Sequence, residues 1–207
     1  MTNLFVTGIS TDVGKTIASS ILVQALRADY WKPIQSGNLD FSDAHSIAHY
    51  LQDNSIVIHP HAYALEKPMS PHAAAELENL QINLKNIKRP TTKNKLVIEG
   101  AGGLLVPLNH KDTIVDLIHN DDLIVLVSKN YLGSINHTLM SIEILKSRGF
   151  KKIVLLFNGK KNKSTQDIIL QKSGLPTLGR LEQHDRITPK IIQQYAHNIK
   201  PKLLSIL

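Results

Sequence analysis

Three short apolar runs constrain the fold most: LVIE at 96–99, LIVLVS at 123–128 and IVLLF at 153–157. None alternates apolar with polar residues. A strand made from any of them has no face for water and must be covered on both sides, the condition met in a parallel sheet. The segments between carry apolar residues at helical spacing. Residues 15–28 place Ile17, Ile21, Leu22, Ala25 and Leu26 on one face. Further helices are predicted over 43–51, 72–79, 113–119, 135–146 and 166–172. Strands are predicted over 3–7, 30–34 and 177–181, with Pro33 putting the second of these at its end or at a sheet edge. Strands alternating with helices specify an α/β fold, a mostly parallel central sheet with helices on both faces. The 207 residues suffice for a single domain over 1–207 with a substantial core.

Composition removes several function classes. The absence of cysteine rules out disulfides, thiolate metal sites and cysteine nucleophiles. The first ten residues lack the charged and apolar regions of a signal peptide. No apolar run reaches the roughly 18 residues a membrane helix needs. A cytoplasmic protein with no membrane partner is expected. The formal net charge is +7, which suits a polyanionic ligand such as a nucleotide. Residues 146–163 hold seven basic side chains and no acid, and 85–95 hold five. No groove-reading motif accompanies them, so a nucleic-acid partner is not expected. His45 and His49 have metal-ligand spacing, but Ser46 stands where a zinc protease carries Glu. His59 and His61 lack a third ligand.

The sharpest local signal is Gly8-Ile9-Ser10-Thr11-Asp12-Val13-Gly14-Lys15-Thr16, between a predicted strand and a predicted helix. This is the context of a phosphate-binding P-loop, with five residues rather than four between Gly8 and Gly14. Backbone N–H groups at a helix start cradle phosphate oxygens. Lys15 would supply an ammonium to the β- and γ-phosphates, and Thr16 a hydroxyl to Mg²⁺. The fold class is thus P-loop NTPase-like. Such a loop needs further carboxylates for the metal. Glu99 ends the run LVIE, and Asp43 follows the second predicted strand. Each is a candidate to join Thr16 on the metal, and each alone also reads as a helix cap or a surface acid.

Beyond the loop, the sequence resembles the dethiobiotin synthetase family, ATP-dependent ring-closing enzymes of biotin synthesis. The resemblance rests on motifs in family order over residues 4 to 181. They are the P-loop; Lys32-Pro33-Ile34-Gln35-Ser36-Gly37 with Ser42-Asp43; Pro68-Met69-Ser70-Pro71-His72; Glu99-Gly100-Ala101-Gly102-Gly103; Leu132-Gly133-Ser134-Ile135-Asn136-His137; and Asn158 after a strand. It implies carboxylation of 7,8-diaminononanoate by CO₂ or bicarbonate and ATP-driven ring closure through a carbamate and a carbamic–phosphoric anhydride. By this resemblance Lys32, Lys15, Thr11 and Asp12 are catalytic. Asp12, Val13, Gly14, Lys15, Thr16, Ile17, Asp43, Glu99, Gly100, Ala101, Gly102 and Asn158 hold ATP and Mg²⁺, with Asn158 reading the adenine. Ser36, Gly133, Ser134, Ile135 and Asn136 bind the substrate. The last four come from a second subunit, which implies a homodimer. Asn136 is also a residue type favoured as a helix cap. His72 and His137 read as structural, and Trp31 as packing.

The chain departs from the family pattern at three places. Ile9 and Ser10 replace Thr and Asp, Asp12 replaces Glu, and Glu182-Gln183 stands where adenine-contacting residues are usual. The alternative is a partition or septum-positioning switch ATPase binding DNA or membrane. Such proteins carry an additional lysine early in the loop, and residues 9–13 contain none. Pro201 is expected to interrupt any C-terminal helix of the kind that docks on membranes.

Overall fold

The computed structural model describes residues 2–53 and 55–207. In chain order the strands and helices are β1 (Leu4–Gly8), α1 (Lys15–Leu26), β2 (Asp29–Trp31), β3 (Ile34–Ser36), α2 (Asp43–Leu51), β4 (Ile58–His59), β5 (Tyr63–Leu65), α3 (Pro71–Leu77), β6 (Leu96–Gly103), β7 (Leu123–Lys129), α4 (Ser134–Ser147), β8 (Ile153–Asn158), α5 (Lys163–Ser173), β9 (Thr177–Leu181) and α6 (Pro189–Ile206). Seven strands form one sheet in the order β4-β2-β6-β1-β7-β8-β9. Every ladder in it is parallel.

The apolar runs behave as their composition requires. Leu4 and Val6 of β1 join Leu123 and Val125 of β7 in one core, packed with α1, α2 and α6. Phe5, Ile98, Ile124 and Ile153 point the other way, into a second core with Ala74 of α3 and Leu145 of α4. The connection from β1 to β2 runs toward one edge of the sheet, and those from β7 to β8 and β9 toward the other. With right-handed crossovers, helices then fall on both faces. The chain reverses direction at β1, and the crevice beyond its carboxyl end is where ligands bind in such sheets.

The structure corrects three expectations. The strand expected over 30–34 is two strands in two sheets. Pro33 has no N–H to give a ladder, and its carbonyl instead accepts from the amides of Ala62 (2.8 Å) and Tyr63 (3.1 Å). β2 stays in the main sheet, while β3 pairs in parallel with β5. The helix expected over 113–119 is a single 3₁₀ turn, Ile114–Leu117, closed by a Thr113–Asp116 capping box. The C-terminal segment is a continuous 18-residue helix through Pro201. Pro201 forfeits one internal hydrogen bond, but Ile192, Ala196, Ile199 and Leu203 are buried on the core of α1 and hold both halves in line.

Candidate active site

Because β1, β2 and β6 are adjacent and parallel, their carboxyl ends open onto the same edge of the sheet. Each delivers one part of a site there. The loop after β1 leads into α1 through Gly14 in the left-handed conformation (φ 94°). A Cβ at Gly14 would collide with the side-chain amide of Asn158. Asn158, at the end of β8, donates from Nδ2 to the Val13 carbonyl at 2.7 Å. Lys129, ending β7, donates to the Asp12 carbonyl at 3.1 Å. The loop is therefore pinned from behind by two neighbouring strands. Lys15 begins α1 and folds back, its Nζ donating to the Ser10 carbonyl at 3.1 Å.

β2 delivers Lys32 and β6 delivers Glu99. Both are buried, at 6% and 1% exposure. The Lys32 ammonium makes a short ion pair with Asp43, the first residue of α2, and lies 3.4 Å from Glu99 Oε1. Thr16 Oγ1 stands 2.8 Å from Asp43 Oδ1 and 3.0 Å from Glu99 Oε1. Its single proton can serve one of them at a time. The other carboxylate oxygen, Glu99 Oε2, accepts from the Tyr30 hydroxyl at 3.0 Å.

The two lysines respond oppositely to similar burial. Burial alone lowers the pKa of a lysine. For Lys15 burial outweighs the attraction of Glu99, and the pKa falls below the ordinary value. For Lys32 burial is overcome by Glu99 and Asp43, and the pKa rises. Burial pushes Asp43 up, but the Lys32 ammonium and the hydrogen bonds from Lys32 and Thr16 leave it below the usual carboxylate range.

These groups line a cavity of about 590 Å³, shared with Thr11, Asp12 and Ser36. Ser36 lines the cavity, and its buried hydroxyl has no hydrogen-bond partner among the described residues. Gly37 closes this wall. Its φ is +74°, and a Cβ there would lie 2.6 Å from Pro68 Cα, so only glycine lets the segment of Pro68, Met69, Ser70 and Pro71 approach. Two carboxylates and a hydroxyl form a compact all-oxygen donor set of the kind Mg²⁺ takes. Thr16, Asp43 and Glu99 therefore fit the ion chemically.

The sequence matches the AAA domain family over residues 2–190. It is 49% identical over 202 residues to an ATP-dependent dethiobiotin synthetase of Christiangramia forsetii, covering 98% of each chain. A second, from Cytophaga hutchinsonii, is 46% identical over 95% of this chain and 96% of that protein. The chain belongs to the ATP-dependent dethiobiotin synthetase family. It thereby stands among the ligases that form C–N bonds. A Borrelia burgdorferi structure titled a putative plasmid partition protein bound to AMPPNP superposes with a TM-score of 0.62 at 14% identity, covering both chains fully. The MinD cell division protein of Aquifex aeolicus gives 0.56 at 10%, covering 99% of this chain and 97% of that one. At such identities these likenesses show the P-loop NTPase-like fold alone.

In this synthetase-family chain the cavity gathers Thr11, Asp12, Gly14, Lys15, Thr16, Ile17, Lys32, Ser36, Asp43, Glu99, Ala101 and Gly102 from the sequence-derived set. Val13 is buried under the loop, and Gly100 lies in β6 against Phe5 and Ile114. Gly133, Ser134, Ile135 and Asn136 are not brought to Lys15 within one chain. They line a separate cleft of about 760 Å³ at the start of α4, with Lys160 and Lys161. Asn136 is not a cap: Gly133 holds the cap position, and the Asn136 amide contacts Met140 Sδ at 3.3 Å. Ile9 and Ser10 face a third cavity, of about 410 Å³, with Leu104 and Met140.

Trp31 is packed, at 2% exposure, and its Nε1 donates to the Pro60 carbonyl at 3.0 Å. His137 bonds Tyr131 through Nδ1 at 2.7 Å. His45 engages Ser42 in the capping box of α2. Glu182 is tied to Arg180 at 2.6 Å, and Arg180 also donates to the Gly159 carbonyl at 2.9 Å, beside Asn158. Sequence reasoning missed Tyr30 and Lys129. Neither lies in a phosphate-binding pattern, and each gains its contact only when strands remote in sequence become neighbours.

Proposed function

We propose that this chain, working as one domain over residues 1–207, uses ATP and Mg²⁺ to carboxylate 7,8-diaminononanoate with CO₂ and close it to dethiobiotin, ADP and phosphate. The observation carrying this reading is the convergence of two buried lysines, Lys15 and Lys32, with Thr16, Asp43 and Glu99 in one cavity beyond β1. One amine takes up CO₂ and loses a proton, giving a carbamate. A carbamate oxygen attacks the γ-phosphorus, the bond to ADP breaks, and a carbamic–phosphoric anhydride forms. The second amine attacks the anhydride's carbonyl carbon and loses a proton, phosphate departs with the carbon–oxygen bond broken, and the ureido ring closes.

Negative charge concentrates on the carbamate and on the phosphoryl in flight. Preorganised ammonium groups in a water-poor cavity stabilise such charge most effectively. Lys15 serves the phosphoryl side and Lys32 the carbamate side. The unpartnered Ser36 hydroxyl is available to the carbamate or amine end, and Asp12 to the cationic diamine, with Thr11 beside it. Thr16, Asp43 and Glu99 would hold Mg²⁺, which when bound neutralises phosphate charge. Val13, Gly14, Ile17, Gly100, Ala101 and Gly102 give the nucleotide close backbone approach, and Asn158 reads the base.

The working form in this reading is a homodimer, in which Gly133, Ser134, Ile135 and Asn136 of one subunit take the substrate carboxylate of the other. The start of α4 lies outside the Lys15 cavity of its own chain and exposes Leu132 fully. Among the described residues no helix is long and apolar enough to cross a membrane. We place the reaction in the cytoplasm, where ATP is supplied. The test is phosphate release with and without the diamine and bicarbonate. Release requiring both, matched by dethiobiotin, supports the proposal. Release indifferent to the diamine and stimulated by DNA or anionic vesicles would transfer it to the switch-ATPase class.

A further inference from the structure

We propose that Tyr30 is a positioning residue for Glu99, fixing which carboxylate oxygen faces the metal and the reacting groups. Tyr30 lies in β2, two residues before Lys32, and is completely buried. Its hydroxyl donates to Glu99 Oε2 at 3.0 Å, while Glu99 Oε1 faces Thr16 and Lys32 at 3.0 and 3.4 Å. The two oxygens of one carboxylate therefore have separate duties. Oε2 is committed to the protein interior, and Oε1 is the oxygen presented to the cavity.

Without the phenol, Glu99 could rotate and offer both oxygens, or turn Oε2 toward Lys32. A strand registered beside β6, with Tyr30 opposite Val97 and Trp31 opposite Ile98, is a rigid place from which to prevent this. Partners of this outer kind orient metal ligands and set how well they bind. The inference rests on the proposed role of Glu99 in holding Mg²⁺.

The test uses Mn²⁺ as the probe, its binding to the whole protein in the presence of ADP followed by electron paramagnetic resonance. Tyr30→Phe keeps the ring and removes the donor. It is expected to weaken Mn²⁺ binding by about 10–100-fold, the usual effect of losing such a partner. Introduced into a Glu99→Gln background, the same change should add little, because Tyr30 acts through Glu99. Replacing Tyr30 by 4-aminophenylalanine, which restores a donor at the same ring position, should recover most of the affinity.

Unchanged Mn²⁺ affinity in Tyr30→Phe, with Glu99→Gln weakened, overturns the positioning role and leaves the metal assignment intact. Unchanged affinity in Glu99→Gln overturns both. A crystal structure of the wild-type protein with Mn²⁺ and ADP gives a reading free of variants. Glu99 binding through Oε1, with Oε2 still on Tyr30, supports the inference. A Glu99 that leaves Tyr30 to bind through both oxygens overturns it.

Discussion

Lys15 and Lys32 carry the same charge into the same cavity, yet the protein holds them on different terms. Burial makes the Lys15 ammonium costly, as its lowered pKa records. Its removal should therefore spare the fold. Lys15→Ala is expected to cut turnover by about 10²–10³-fold or more, with an unchanged or raised urea midpoint. Lys32 is the opposite case. Its ammonium answers Asp43 and Glu99, and Lys32→Met strands two adjacent carboxylates. A loss of about 3–5 kcal/mol is expected at neutral pH. The raised Lys32 pKa means its contribution is complete below the ordinary 10.5 and lost as pH rises through the raised value. The lowered Asp43 pKa means its contribution is complete above the ordinary 3.8 and lost as pH falls through the lowered value. The stability gap between wild type and Lys32→Met should thus be flat through neutral pH and narrow in acid. Urea titrations at neutral pH and near pH 3 measure it; a gap that widens in acid contradicts the pairing.

Among the elements, α6 shows tertiary packing overriding a local helix breaker. Its four buried side chains at 192, 196, 199 and 203 have the spacing of one helical face, and only Leu203 of them lies beyond Pro201. Leu203 is fully buried in the core shared with α1. Leu203→Ala should cost about 2–5 kcal/mol and fray the helix after Pro201, leaving the Michaelis constant for ATP unchanged. Amide exchange across 201–206 would register the fraying. β2 is a second case, only three residues long. Asp29 secures it by accepting from the amide of Val57 (3.1 Å), the amide group of Asn94 (3.0 Å) and the Thr92 hydroxyl. That network joins the strand carrying Tyr30 and leading to Lys32 to β4 and to the segment before β6.

For the whole molecule, the decisive expectation concerns two chains. Each proposed site combines Lys15 of one subunit with Asn136 of the other. Lys15→Ala and Asn136→Ala homodimers should both be impaired, the first in turnover and the second in diamine affinity. Mixed with subunit exchange, they should regain about a quarter of wild-type activity, since half of randomly paired dimers are mixed and each holds one intact site of two. No recovery, with exchange demonstrated, would overturn a site shared between Lys15 of one subunit and Asn136 of the other.

What the sequence by itself determined was local or periodic. The apolar runs demanded two-sided burial, and β6, β7 and β8 each bury side chains in a core on either face of the sheet. The glycine–lysine–threonine segment demanded a strand before it and a helix after it, and both are there. Tertiary structure decided whatever depended on neighbours far along the chain. It decided that Pro33 divides the strand expected over 30–34 between two sheets, because that residue lacks the N–H a ladder needs. It decided that α6 passes through Pro201, because burial of one face outweighs one missing hydrogen bond. It decided that Tyr30 meets Glu99, because the strand order sets β2 beside β6, and sequence spacing carries no record of which strands will adjoin.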